Sequence, residues 1–198
     1  MKSIVLASGN AGKLRELTAL LAPLGLELTS QNALGIETPP ETGTTFVDNA
    51  LLKARFASRH SGLPALADDS GIEVDALGGR PGVYSARYAG EGATDSQNLQ
   101  KMLEELLGVA PERRTARYQC VIVLVRDADD PQPVIAQGAW EGRIIEAPRG
   151  AGGFGYDPIF VPAGFERTAA ELTAEEKNAV SHRGKALRAL IEGLTGAR

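Results

Sequence analysis

"SIVLASGNAGKLRELTALLAPLGLELTSQ", residues 3–31, decides the fold. "SIVLAS" is an apolar run of strand length, Gly9 and Asn10 make a turn, and "GKLRELTALLAPLG" sets Leu14, Leu17, Leu20, Leu21 and Leu24 at helical spacing. "LELTSQ" then returns as a second strand. Strand, turn, helix, strand is the β-α-β unit, whose crossover joins parallel neighbours, so the chain reads as an α/β protein. The turn carries a second implication. A strand that feeds through Gly9 and Asn10 into a helix presents backbone N–H groups, with Lys13 close by, where an anion can be held. From this segment alone an ordinary βα turn with a solvated lysine reads equally well.

The rest of the chain bounds what such a unit belongs to. Its 198 residues have room for one domain with a sizeable core, or for two lobes sharing a single sheet. Hydrophobic residues at 43% and charged residues at 23% are too apolar a mixture for a disordered chain. The net charge of -4 argues against a protein that grips nucleic-acid backbone, so any phosphate site must be local. One cysteine, Cys120, excludes a disulfide framework and a thiolate metal cluster, and fits a reducing cytoplasmic home. No run approaches the length of a transmembrane helix, and the expectation is a protein neither exported nor embedded.

Outward from the opening unit, a Pro/Gly/Thr-rich loop carrying Glu41 leads into a helix from about Thr45, with Phe46, Ala50, Ala54 and Ala57 on one face. "GLPALADDSGI" follows as a buried strand expected to end in Asp68 and Asp69, with a turn at Ser70 and Gly71. "TDSQNLQKMLEELLGV" is a capped helix ending at Gly108. Residues 115–150 read as a hairpin of long strands, "YDPIFV" as a short strand after a glycine loop, and residues 173–196 as helical with a break near Ser181.

Several short strings fail on context. "GAGGFG" matches G-x-G-x-x-G but precedes a strand, where the dinucleotide fingerprint must open a helix. "SGNAGK" has Ala7 where a P-loop needs its first glycine and Leu14 where it needs a hydroxyl. Ser181 beside His182 has no nucleophile elbow, so acyl chemistry is unsupported. "DDSG" leaves two readings open: carboxylates at a strand's C-terminal end, where α/β sheets place ligands, or a turn in which Asp68 or Asp69 caps backbone N–H groups. Lys53 shares a helix face with Asn49, and Phe154, Tyr156 and Asp157 offer a stacking plane and an acceptor to a base.

"SGNAGK", "FVDNALLKA", "LADDSG", "LGGRPGVYSARY", "GGFGYDPIF" and "EEKNAVSHRGKAL" occur together, in this order, nearly end to end. In them the chain resembles the non-standard purine nucleoside triphosphate pyrophosphatases, the inosine triphosphatase-like or Ham1-type family. The resemblance implies hydrolysis of dITP, ITP, XTP and dXTP to the monophosphate and pyrophosphate, with Mg2+, by a homodimer. It implies an elongated mixed β-sheet flanked by helices, residues 1–198 forming one domain of two lobes with the active site in a cleft between them. By the same similarity Ser8, Gly9, Asn10, Ala11, Gly12, Lys13 and Ser70 bind substrate, with Lys13 and Lys53 on the triphosphate. Asp69 matches the general base and a metal-linked carboxylate, Glu41 a second metal-linked acid, and Asp68 supports them. Phe154, Gly155, Tyr156, Asp157, Lys177, His182 and Arg183 match the base pocket, with Arg183 the candidate donor to the base. Two rivals remain open: a related Maf-type pyrophosphatase of other modified nucleotides, and a nucleotide-binding module without turnover.

Overall fold

A computed structural model describes residues 3–196; the side chains of Leu24 and Thr195 lie outside what it describes. Strand β1 (Ser3–Ala7) feeds into helix α1 (Ala11–Leu21), whose N-cap Asn10 accepts from Lys13 N at 3.0 Å. Residues Ala22–Leu24 tighten into a 3-10 turn at Pro23, which shortens the expected helix. Strand β2 (Glu27–Ser30) pairs parallel with β1, Ser3 opposite Glu27 and Leu6 opposite Ser30. Helix α2 (Phe46–Ser61) is capped by Thr45, which accepts from Asp48 N, and closes at Gly62 with φ 70°. It returns the chain to β3 (Ala65–Val74), parallel to β1 on its other side. Parallel neighbours need crossovers, and α1 and α2 are those crossovers.

After helix α3 (Asp95–Glu105) come strands β4 (Thr115–Val125), β5 (Val134–Ile144) and β6 (Phe160–Pro162), then helices α4 (Ala174–Val180) and α5 (His182–Gly196). The six strands form one sheet in the order β2-β1-β3-β4-β5-β6. With β1 parallel to both neighbours and β5 antiparallel to β6, the sheet is mixed, as expected. The break near Ser181 is also found, since Ser181 ends α4 in extended backbone before α5 starts. Helix α3 stops at Glu105, earlier than Gly108.

The chain divides into two compact units: residues up to Asp69 with Cys120–Gly138 and those from Arg183 on, and Ser70–Gln119 with Ala139–His182. In the first, alternate strand residues sort to opposite faces. Ile4, Leu6, Leu66, Cys120, Ile122 and Leu124 pack with Leu17 and Leu21 of α1 and Leu187 and Leu190 of α5. Val5, Ala7, Ala65, Ala67, Val121 and Val123 pack with Ala50, Ala54 and Ala57 of α2. A sheet covered on both faces explains why "SIVLA" is a continuous apolar run. Cys120 is a buried free thiol. The second unit closes around Ile72, Val74, Met102, Trp140, Ile159 and Phe160.

One sequence expectation is corrected here. β3 does not stop at the two aspartates, and Ser70 and Gly71 are strand rather than turn. Ile72 N donates to Ser85 Oγ at 2.9 Å, and a Cβ on Gly71 would collide with the Gly82 carbonyl oxygen and lie 2.5 Å from Ser85 Oγ. Glycine is there for close backbone approach, not for reversal.

Candidate functional site

In the first unit, neighbouring strand residues with oppositely directed side chains put Asp68 and Asp69 in different environments. Asp68 Oδ2 accepts from Arg183 Nη2 at 3.1 Å and lies 3.3 Å from Lys13 Nζ, and Arg183 Nη1 also binds Glu16 of α1. Burial alone would raise the Asp68 carboxyl, but Lys13, Arg183 and Lys53 hold it well below the usual carboxylate range. Asp69 Oδ1 accepts from Lys53 Nζ at 2.9 Å, and the same ammonium donates to Glu41 Oε1 at 2.8 Å. Burial pushes the Asp69 carboxyl upward, and Glu41 adds to it, against the pull of Lys53 and Lys13. Lys53 in turn is lowered by burial but raised further by Asp69, Asp68 and Glu41, and stays charged. Two adjacent carboxylates are thus driven apart, one fixed as an anion and one made more basic.

Asn10 N lies 3.3 Å from Ser8 Oγ in the β1–α1 turn that Gly9 shares, and Ala11 and Gly12 open helix α1. Arg183, the expected donor to the base, is buried to 1% exposure, and its guanidinium meets Asp68 and Glu16. A guanidinium shared by two carboxylates fixes both of them in place. Glu16 was not singled out in the sequence, although its place three residues after Lys13 puts both on one helix face.

In the second unit the glycine loop wraps a single carboxylate. Asp157 Oδ2 accepts from Lys177 Nζ at 2.6 Å and from Phe154 N at 2.9 Å, while Oδ1 accepts from Tyr118 OH at 3.3 Å. Gly153 at φ 71° must lack a side chain, because a Cβ there would run into Asp157 Oδ2. Lys177 Nζ also sits 4.8 Å from the Phe154 ring centre. Gly155 N donates to Asp95 Oδ2 at 2.7 Å, and Tyr156 OH donates to Ser85 O at 2.8 Å. Burial lifts the Tyr156 phenol above its ordinary range, so it remains a donor. His182 stacks on Tyr118 with centroids 4.7 Å apart and planes 7° apart. Ser70 follows Asp69 along β3, half-buried. Tyr118, which joins Asp157 to His182, is the second residue the sequence did not disclose.

Among the described residues no group of three or more His, Cys, Asp or Glu side chains is placed to hold a metal ion. Asp69 Oδ2 is nonetheless buried without a hydrogen-bond partner among them, and Glu41 stands on the same lysine. One or two carboxylates completed by phosphate oxygens and water is the donor set magnesium takes, so the residues fit such an ion. No helix of the described residues is long and apolar enough to cross a membrane.

Comparison with known proteins gives a consistent set of relatives. The profile of the Ham1 family matches residues 4–193. A dITP/XTP pyrophosphatase of Shigella flexneri is 57% identical over 194 residues, 98% of each chain. The solved structure of a HAM1 protein from Coxiella burnetii is similar at TM-score 0.90 and 50% identity, covering 99% of this chain and 100% of that one. The Staphylococcus aureus Ham1 protein is similar at TM-score 0.85 and 37% identity over 100% of both chains.

Proposed function

The chain belongs to the Ham1 family, and from that premise we propose that it hydrolyses non-standard purine nucleoside triphosphates, dITP, ITP, XTP and dXTP. The products are the nucleoside monophosphate and pyrophosphate, and the reaction keeps such bases out of DNA and RNA. The observation that carries this reading is the placement of two adjacent buried carboxylates, Asp68 held by Arg183 and Lys13, and Asp69 sharing the Lys53 ammonium with Glu41 while its Oδ2 has no hydrogen-bond partner among the described residues.

Attack is at the α-phosphorus. Asp69 accepts the proton of the attacking water, and burial beside Glu41 makes its carboxylate more basic than an ordinary one. Lys53 orients Asp69 and Glu41 together, and Ser8, Gly9, Asn10, Ala11, Gly12 and Lys13 bind the triphosphate through backbone N–H groups and one ammonium. Arg183 and Glu16 hold Asp68, which keeps Lys13 directed at the loop. Phe154, Gly155, Tyr156, Asp157, Lys177 and His182, with Ser70, take the nucleoside. Asp69 and Glu41 would hold the divalent cation, for which Mg2+ is our reading, and when bound it supplies positive charge to the phosphates and a more acidic water. A homodimer in the cytoplasm, with no nucleic-acid or membrane partner, belongs to the same reading.

Pyrophosphate release from ITP, XTP, GTP and ATP in parallel, with and without Mg2+, tests it. Preference for ITP and XTP with Mg2+ is expected. Equal rates on all four, or none on any, would overturn it.

A further inference from the structure

The segment between β2 and α2 contains a hydrogen bond that the reaction above leaves unused. Gln31 is fully buried, and its Nε2 donates to Thr38 Oγ1 at 2.6 Å. Thr38 is exposed, and its hydroxyl stands directly over the anion loop: a Cβ added to Gly9 would lie 2.9 Å from Thr38 Oγ1. The missing side chain of Gly9 is what lets Thr38 close on that loop.

The direction of the Gln31–Thr38 bond decides what Thr38 can do. A hydroxyl has one proton and two lone pairs. By accepting the Gln31 N–H, Thr38 keeps its proton for another acceptor, and none lies among the described residues. A donor held from behind, beside the turn that leads from β1 into the N-terminus of α1, is suited to an anionic oxygen. We propose that Thr38 is a substrate-binding residue whose hydroxyl donates to a phosphate oxygen of the nucleotide bound at residues 8–13, with Gln31 as the residue that positions it. This rests on the reading of that loop as the triphosphate site.

The test compares wild type, Thr38→Val, Thr38→Ser, Gln31→Met and the Gln31→Met/Thr38→Val double variant. Two readouts are taken: steady-state pyrophosphate release from ITP, and calorimetric binding of inorganic tripolyphosphate. Thr38→Val should raise KM for ITP and Kd for tripolyphosphate about tenfold with kcat nearly unchanged, the loss of one hydrogen bond to a charged acceptor. Thr38→Ser should bring both back to within about twofold of wild type, because the hydroxyl and not the methyl is needed. Gln31→Met should weaken both by a smaller factor and add nothing in the Thr38→Val background. Wild-type KM and Kd in Thr38→Val, or a serine variant as weak as the valine one, overturns the assignment; additive losses overturn the part given to Gln31. Failure of wild type to bind tripolyphosphate overturns it too. A wild type that binds tripolyphosphate yet releases no pyrophosphate from ITP sinks the hydrolase reading alone, while the binding arm still decides on Thr38.

Discussion

Arg183 and Asp68 stand 115 residues apart in the chain and meet with Nη2 3.1 Å from Oδ2, both side chains at or below 1% exposure. A charge pair so fully desolvated is costly to break from one side, because the partner left behind has no water to turn to.

Arg183→Ala should therefore destabilise the fold by about 3–5 kcal/mol, and Arg183→Met with Asp68→Asn should recover part of that loss. Urea denaturation monitored at equilibrium checks both. A single-variant loss under about 1 kcal/mol, the range of an exposed pair, would show that the buried pair contributes little.

Asp68 also sets a direction for stability against pH. Its folded carboxyl lies below the ordinary value of 3.8, so the unfolded chain takes up its proton first as pH falls. The contribution is fully present above the ordinary carboxylate range and is lost as pH drops through the lower folded value. Urea midpoints measured from pH 6 down to pH 3 should fall more steeply for wild type than for Asp68→Asn. Parallel curves would remove Asp68 as the source.

Asp69 is displaced the other way, so its proton is held to higher pH than an ordinary carboxylate holds one. A base must be unprotonated to work, and the acid limb of the pH–rate profile should therefore lie above the usual carboxylate range. Asp69→Asn should lower kcat by about 10²- to 10⁴-fold while its circular dichroism matches wild type. A folded variant with normal turnover would falsify the base assignment.

Glu41→Gln keeps the volume and removes one charged oxygen from the Lys53 ammonium. The concentration of Mg2+ giving half-maximal rate should rise, with the maximal rate changed less. An identical magnesium titration takes Glu41 out of the metal site.

Lys177 and Asp157 form one buried pair beneath Phe154. Lys177→Met and Asp157→Asn should each raise KM for ITP, and the double variant should be no worse than the poorer single one, since the two act as a unit. Additive losses would separate their roles.

What the sequence disclosed, and what it hid, follows from the range of the forces involved. The β-α-β opening, the Thr45 cap and the break at Ser181 rest on periodicity and capping within a few residues, and such signals are readable in one dimension. The passage of β3 through "DDSG" is not, because Asp, Ser and Gly suit a turn as well as a strand and only the Gly82 carbonyl opposite Gly71 decides between them. Arg183 shows the same limit at the site. Its motif marks it as important, but its job depends on Asp68 and on Glu16, which is 167 residues away. Tyr118 was hidden inside a strand pattern, where an aromatic residue reads as core until its hydroxyl is found on Asp157.

Cys120 lies at 1% exposure on β4, beside the strand that carries the paired aspartates, and burial pushes its thiol up to about 12. A thiol in that state has almost no thiolate to offer and no path to a reagent while the sheet is closed. Alkylation of this lone cysteine is consequently a clock for opening. Its rate under native conditions counts how often the first unit exposes its interior, so a stability change from any substitution near the aspartates can be timed with the protein fully folded and without denaturant.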